Sequence, residues 1–219
     1  MEARVPVQLK QYYIAVGSRD VKLPTLVDLL EALQANGPFG LLVLCGARDT
    51  LDELVCGLAP LSRTAVHYLV ADMAEEERGA ALERFARDVD GAQRPAAVLG
   101  DGATDMDSTC AAHEEQAARC AEPALAHVLV ATDAALRGLD CVLPAGLALL
   151  VSYDCPTRKE VFLRRLALLG RKQGARIAVH MAVAGEAAAF RAVEAFSGAA
   201  PIDVLPVLTS DIFGRSSSP

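Results

Sequence analysis

The chain has 219 residues, 53% of them hydrophobic, with 21 basic against 28 acidic residues and a formal net charge of −7. That length forms one sizeable domain or two very small ones and buries a core without disulfides. No apolar run has the length and purity of a membrane span, and Met1–Pro6 lacks the basic-then-apolar layout of a signal peptide, so the nucleus or cytoplasm is the expected location. The acidity is local. Residues 88–126 hold eight acidic and two basic residues, which leaves twenty acidic against nineteen basic elsewhere. A nearly neutral body excludes a broad basic nucleic-acid surface but leaves room for local arginine clusters. None of the six cysteines forms a Cys-x-x-Cys pair, and the four histidines are scattered, so neither a disulfide framework nor a metal site is expected. Cys45 and Cys155 lie inside or beside apolar strands and read as small buried thiols.

Strand-like and helix-like segments alternate along the chain. Leu9 to Val16 reads as a strand. Leu23 to Leu33 follows as a helix with Leu26, Leu29, Leu30 and Leu33 on one face. Gly40 to Cys45 is a fully apolar strand, and Leu51 to Leu58 a short helix opened by Asp49 or Thr50 as cap. Ala65 to Val70 is a third strand, and Met73 to Arg87 a helix with Leu82 and Phe85 facing inward. The rhythm then breaks. Residues 88–126, rich in Gly, Pro, Ala and acidic side chains, read as a disordered acidic insertion, with a weak helix near Ala111 to Cys120. His127 to Ala131 and Gly146 to Tyr153 are strands, Arg158 to Leu169 a helix, Ala175 to Met181 a strand and Glu186 to Phe196 a helix. Residues 214–219 form a loose tail. Apolar strands without polar alternation, separated by helices, predict an α/β domain over residues 1–213 with a parallel sheet covered on both faces.

The densest chemistry lies in Val128-Leu129-Val130-Ala131-Thr132-Asp133-Ala134-Ala135-Leu136-Arg137-Gly138-Leu139-Asp140. The apolar run is a buried strand, and the polar cluster falls just past its C-terminal end, where open α/β sheets place ligands. Gly138 lets the backbone pass close to a ligand or take a positive φ. In a purely structural alternative, Asp133 caps a short helix and Arg137 pairs with Asp140.

These residues resemble motif V of the DEAD-box RNA helicases, and the chain as a whole resembles their second RecA-like domain. Gln11-Tyr12-Tyr13-Ile14-Ala15-Val16 is similar to that domain's opening strand, and Leu42-Val43-Leu44-Cys45 to its motif IV strand. Met73-Ala74-Glu75-Glu76-Glu77-Arg78 resembles the Met-x-Gln-x-Glu-Arg helix start, and Tyr153-Asp154-Cys155-Pro156 the Tyr-Asp-x-Pro after the next strand. Arg164 to Arg171 occupies the place of motif VI, and Ile202-Asp203-Val204-Leu205-Pro206 the closing segment. Lys22 to Leu29, Tyr153 to Thr157 and Leu205-Pro206 look most like the translation-initiation and exon-junction members. Arg165-Leu166-Ala167 leans toward the mRNA-export relatives.

The resemblance implies roles. Asp140 would hold the ATP ribose, as a carboxylate accepting hydroxyl hydrogen bonds. Thr132, Gly138 and Arg78 would touch RNA phosphates, which positions a strand without reading its sequence. The alternatives are turn chemistry for Thr132 and Gly138, and a solvated Arg78 paired with Glu75 one turn back. The departures matter as much. Motif VI reads His-Arg-x-Gly-Arg-x-Gly-Arg in the family, and here its central arginine, the finger that reaches the γ-phosphate, is Leu168. Such a finger contributes roughly 10³–10⁵ in rate, and a leucine cannot neutralise phosphate charge. Arg171 remains as a residual phosphate-facing arginine. Arg164 replaces the usual His, and Glu75 a Gln.

No Gly-x-x-x-x-Gly-Lys-Ser/Thr and no Asp-Glu-Ala-Asp occurs in these 219 residues. The expected function is therefore a degenerate, stand-alone helicase C-terminal domain. It would bind ATP weakly if at all and hold no metal. It would bind single-stranded RNA weakly and without sequence preference, or a protein partner. Two further readings stay open: part of an active ATP-dependent RNA helicase whose first RecA-like domain is missing from this chain, as a truncated product or a half completed by another chain, and a protein-interaction scaffold with lost ligand sites.

Overall fold

The computed structural model describes residues 9–92, 124–136, 143–144, 147–169, 176–198 and 200–206. Seven strands form one parallel sheet in the order β3-β4-β2-β5-β6-β1-β7. The strands are β1 (Leu9–Val16), β2 (Phe39–Cys45), β3 (Thr64–Leu69), β4 (Ala126–Thr132), β5 (Leu147–Ser152), β6 (Arg176–Val183) and β7 (Ile202–Val204). Five α-helices cover it: α1 (Lys22–Gln34), α2 (Arg48–Leu58), α3 (Glu75–Ala92), α4 (Lys159–Leu168) and α5 (Ala187–Ser197). This is the expected parallel α/β architecture.

The sheet is apolar on both sides because each face has its own helical layer. Leu26, Leu30 and Leu33 of α1 and Leu51, Leu54 and Leu58 of α2 pack with Leu41, Val43, Val130, Val151 and Val179. Phe85 and Val89 of α3, Phe162 and Leu166 of α4 and Val193 of α5 pack with Leu42, Leu44, Leu129, Leu150 and Ala178 on the other face. Alternate strand residues thus serve opposite layers, as a period of two demands. At Gly40 a Cβ would lie 2.9 Å from Val89 Cγ2, so glycine lets α3 settle directly onto β2.

Two expectations need correction, and one strand goes beyond the sequence reading. α2 begins at Arg48, behind Ala47, and has no side-chain cap; Asp49 sits inside the first turn, where it favours the helix dipole instead. α3 runs on to Ala92, so residues 88–92 are helix and not the start of the insertion. Val89, one turn beyond Phe85, is fully buried and extends the apolar stripe past the acidic residues that suggested a loop. Ile202–Val204 is an edge strand that pairs in parallel with Gln11–Tyr13 of β1. The rest of the expected insertion, the weak helix near 111–120 and the tail at 214–219 lie outside the described residues.

Candidate functional site

Where the helices after two neighbouring strands go to opposite faces, a crevice opens at the strands' C-terminal ends. β2 leads into α2 on one face and β5 into α4 on the other, while β2 lies between β4 and β5. The crevice is therefore lined by Cys45-Gly46-Ala47, Thr132 to Leu136 and Tyr153 to Pro156. The motif V strand, the motif IV strand and the Tyr-Asp-x-Pro segment meet there.

Arg165 of α4 holds this end together. Its side chain is 2% exposed. Nε and Nη2 donate to the two carboxylate oxygens of Asp133 at 2.8 and 2.7 Å, and Nη1 donates to the Asp154 carbonyl at 2.6 Å. One guanidinium thus fastens the ends of β4 and β5 to α4, in the planar two-pronged geometry that favours Arg over Lys. Asp154 is the second node. Its Oδ1 accepts from Lys22 Nζ at 2.7 Å and its Oδ2 from the Gly46 N–H at 2.9 Å. Lys22, 4% exposed, also sits 4.1 Å from the Tyr153 ring centroid, where the ring's π face stabilises the ammonium. Burial pushes the Tyr153 phenol up to about 12, helped by Glu53 and Asp154. Burial likewise pushes Cys45 to about 12, reinforced by Asp154 and Asp133, and Cys155 to about 11. Both thiols are packing groups at neutral pH, as the sequence suggested.

Arg78 enters the same end from the second turn of α3. It is half-buried, and its Nη1 donates to the Ala135 carbonyl at 3.4 Å in the turn after β4. Among the described residues it meets no carboxylate, so the alternative in which it pairs with Glu75 does not hold. A cation against the motif V turn can meet an anionic backbone. Thr132 is 6% exposed, and its Oγ1 accepts from the Ala135 N–H at 3.3 Å. The hydroxyl is therefore engaged with the turn as acceptor, and its proton and a second lone pair are left for other partners. Asp133 caps no short helix, because residues 133–136 are turn and its carboxylate belongs to Arg165. Gly138, Asp140 and Arg171 lie outside the described residues, as does Arg137.

Leu168 stands where the resemblance expects the central arginine of motif VI. It ends α4 half-buried and packs against the apolar layer of Phe162, Leu166 and Leu169. Arg164, at the histidine position of the family motif, and Glu75 are exposed. Sequence reasoning assigned no role to the side chains of Arg165, Lys22 or Asp154, and offered Asp133 only as a helix cap. The Arg-Arg doublet and the aspartates directly after two strands were the available signals. Only the fold pairs them, because the partners lie 32 and 132 residues apart.

A scan against protein-family models finds no match. The ATP-dependent RNA helicase eIF4A of Phaeosphaeria nodorum is 25% identical over 204 residues, covering 93% of this chain and 40% of that protein. The ATP-dependent RNA helicase fal-1 of Neurospora crassa is 24% identical over the same length, again covering 93% and 40%. The chain therefore spans about 40% of the length of these relatives. Among solved structures, the E. coli DEAD-box protein SrmB bound to RraA aligns with a TM-score of 0.61 at 20% identity, covering 96% of this chain and 97% of that one. The C-terminal domain of the DEAD-box protein Dbp5 aligns at 0.60 and 16%, covering 94% of each. S. cerevisiae Dbp5 bound to RNA and ADP BeF3 aligns at 0.62 and 15%, covering 92% of this chain and 42% of that one. The chain's homologues are thus DEAD-box helicases, matched over 93% of its residues, and its fold is that of their RecA-like C-terminal domain.

Proposed function

We propose that this domain binds the backbone of single-stranded RNA, weakly and without sequence preference, and supplies no ATPase activity of its own. The observation that carries the second half is Leu168. It occupies the finger position of motif VI and spends its side chain on the apolar layer beneath α4. A hydrocarbon there gives no charge to a phosphoryl group, and the missing effect is roughly 10³–10⁵ in rate. The first half rests on Arg78, which faces the motif V turn without a carboxylate partner among the described residues. Asp140 and Arg171 are proposed for any residual nucleotide contact, and Thr132 and Gly138 for further backbone contact.

The test is phosphate release by the purified chain, with and without single-stranded RNA, beside an RNA titration at low salt. We expect no turnover above background and weak binding with a shallow salt dependence, because few phosphates would be neutralised. Turnover that RNA stimulates and that co-purifies with the chain would refute the first expectation. It would favour the reading in which this is part of an active helicase, to which the 40% coverage of its relatives lends support. Absence of RNA binding at low salt would leave a protein-interaction domain. SrmB bound to RraA, and Dbp5 bound to Gle1, support that second reading, since this fold carries protein partners there.

A further inference from the structure

The geometry points to a divalent-metal site of the zinc class, built by His67, His127 and Asp88 at the end of the sheet opposite the candidate RNA site. His67 lies on β3 and His127 near the start of β4. The two strands pair with Ala65 beside His127 and His67 beside Leu129, so the imidazoles project from one face at a diagonal. α3 crosses that face and brings Asp88 over them. The candidate ligand atoms of all three residues lie within 4.8 Å of one another.

Two features distinguish this cluster from ordinary packing. His127 is 6% exposed; the Ala124 backbone is its near polar neighbour, yet neither ring nitrogen makes a hydrogen bond of normal geometry. Buried polar atoms are rarely left in that state. His67 Nε2 is also buried without a hydrogen bond, although Asp88 Oδ2 lies 3.2 Å away. That separation is close to the ~3.3 Å between two ligands on one tetrahedral ion with bonds of about 2.0–2.2 Å. Small side-chain rotations would bring the third donor to the same centre.

Two imidazoles and one carboxylate are a donor set for zinc rather than for calcium or magnesium, which take oxygen ligands. The Asp88 side chain is 41% exposed, so water can reach the fourth position. The ion's part would be to clamp α3 to the β3–β4 edge. The same helix carries Arg78 about 15 Å further along, at 1.5 Å rise per residue. A clamp at Asp88 would thus fix the helix that presents the candidate RNA contact.

The test uses the full chain, stripped with a chelator and then titrated with Zn²⁺ alone by calorimetry and with Co²⁺ alone by visible spectroscopy. We expect one ion per chain, a cobalt spectrum of nitrogen and oxygen ligation without thiolate charge transfer, and a raised melting temperature with excess Zn²⁺. Asp88→Asn changes a partly exposed helical residue and should leave the fold intact while weakening binding at least about tenfold. His127→Gln should abolish it. If that variant fails to fold, His67→Asn and Asp88→Asn decide the matter together. A folded wild-type chain that binds no Zn²⁺ would overturn the proposal. Affinity unchanged in both of those variants, or a cobalt spectrum dominated by thiolate charge transfer, would place the ion on cysteine and overturn it equally.

Discussion

Asp133→Ala should destabilise this domain more than Arg165→Met, although the two residues share one interaction. The asymmetry follows from where each partner is left. Arg165 is 2% exposed, whereas 22% of the Asp133 side chain reaches solvent. Removing the carboxylate strands a guanidinium in the interior with only the Asp154 carbonyl as partner, and breaking a buried pair in this way costs about 3–5 kcal/mol. Removing the guanidinium leaves a carboxylate that water can reach at the rim, and methionine fills much of the vacated volume. The loss is then mainly the charge-assisted hydrogen bonds, and a net cost of about 1–3 kcal/mol follows. The double variant should be less destabilised than the sum of the two by roughly 2 kcal/mol, because neither charge remains to be left unpaired. Urea unfolding reads this directly, as a change in midpoint at constant slope. If Asp133→Ala costs less than about 1 kcal/mol, or the two changes are additive within ~0.3–0.5 kcal/mol, the pair does not fasten β4 and β5 to α4.

Three further outcomes are expected. Gly40→Ala should cost about 1–3 kcal/mol by overpacking, because the new methyl meets the stiff Val89 side chain at 2.9 Å, and a neutral result in urea unfolding would show that α3 can lift away freely. His180 is fully buried, and burial, with Arg165 nearby, lowers its pKa to about 3. The unfolded chain takes up this proton near pH 6.5 and the folded chain only near 3, so stability should fall with pH between the two by up to about 1.4 kcal/mol per unit. His180→Asn should flatten that slope, and an equal slope in both proteins would assign the acid sensitivity elsewhere. Cys45, buried and with its thiol held near 12, should resist alkylation in the native chain while exposed Cys56 reacts; mass mapping that finds Cys45 modified under native conditions would contradict its placement.

Much of the fold was legible because its signals are local. The apolar runs at Leu41–Cys45 and Val128–Ala131 can only be strands buried on both faces, and the leucine spacing of α1 marks its inner stripe. The resemblance to motif V is carried by contiguous residues for the same reason, a strand, a polar cluster and a glycine in one stretch. The end of α3 was not legible. Asp88, Asp90 and Gly91 carry loop-like chemistry, and only the proximity of β2, with no side chain at Gly40, makes Val89 a core residue. The pairings that build the candidate site and the histidine cluster at the other end of the sheet were equally hidden. Asp133 with Arg165, Lys22 with Asp154, and His67 with Asp88 and His127 come from different elements, and neither composition nor spacing distinguishes them from solvated charges. The sequence by itself determined the alternation of strands and helices and the apolar layers, and it carries Leu168 where the resemblance expects an arginine. The tertiary structure alone decided which charges were desolvated together, because burial and partner distance depend on strand order, and strand order is a property of the folded sheet.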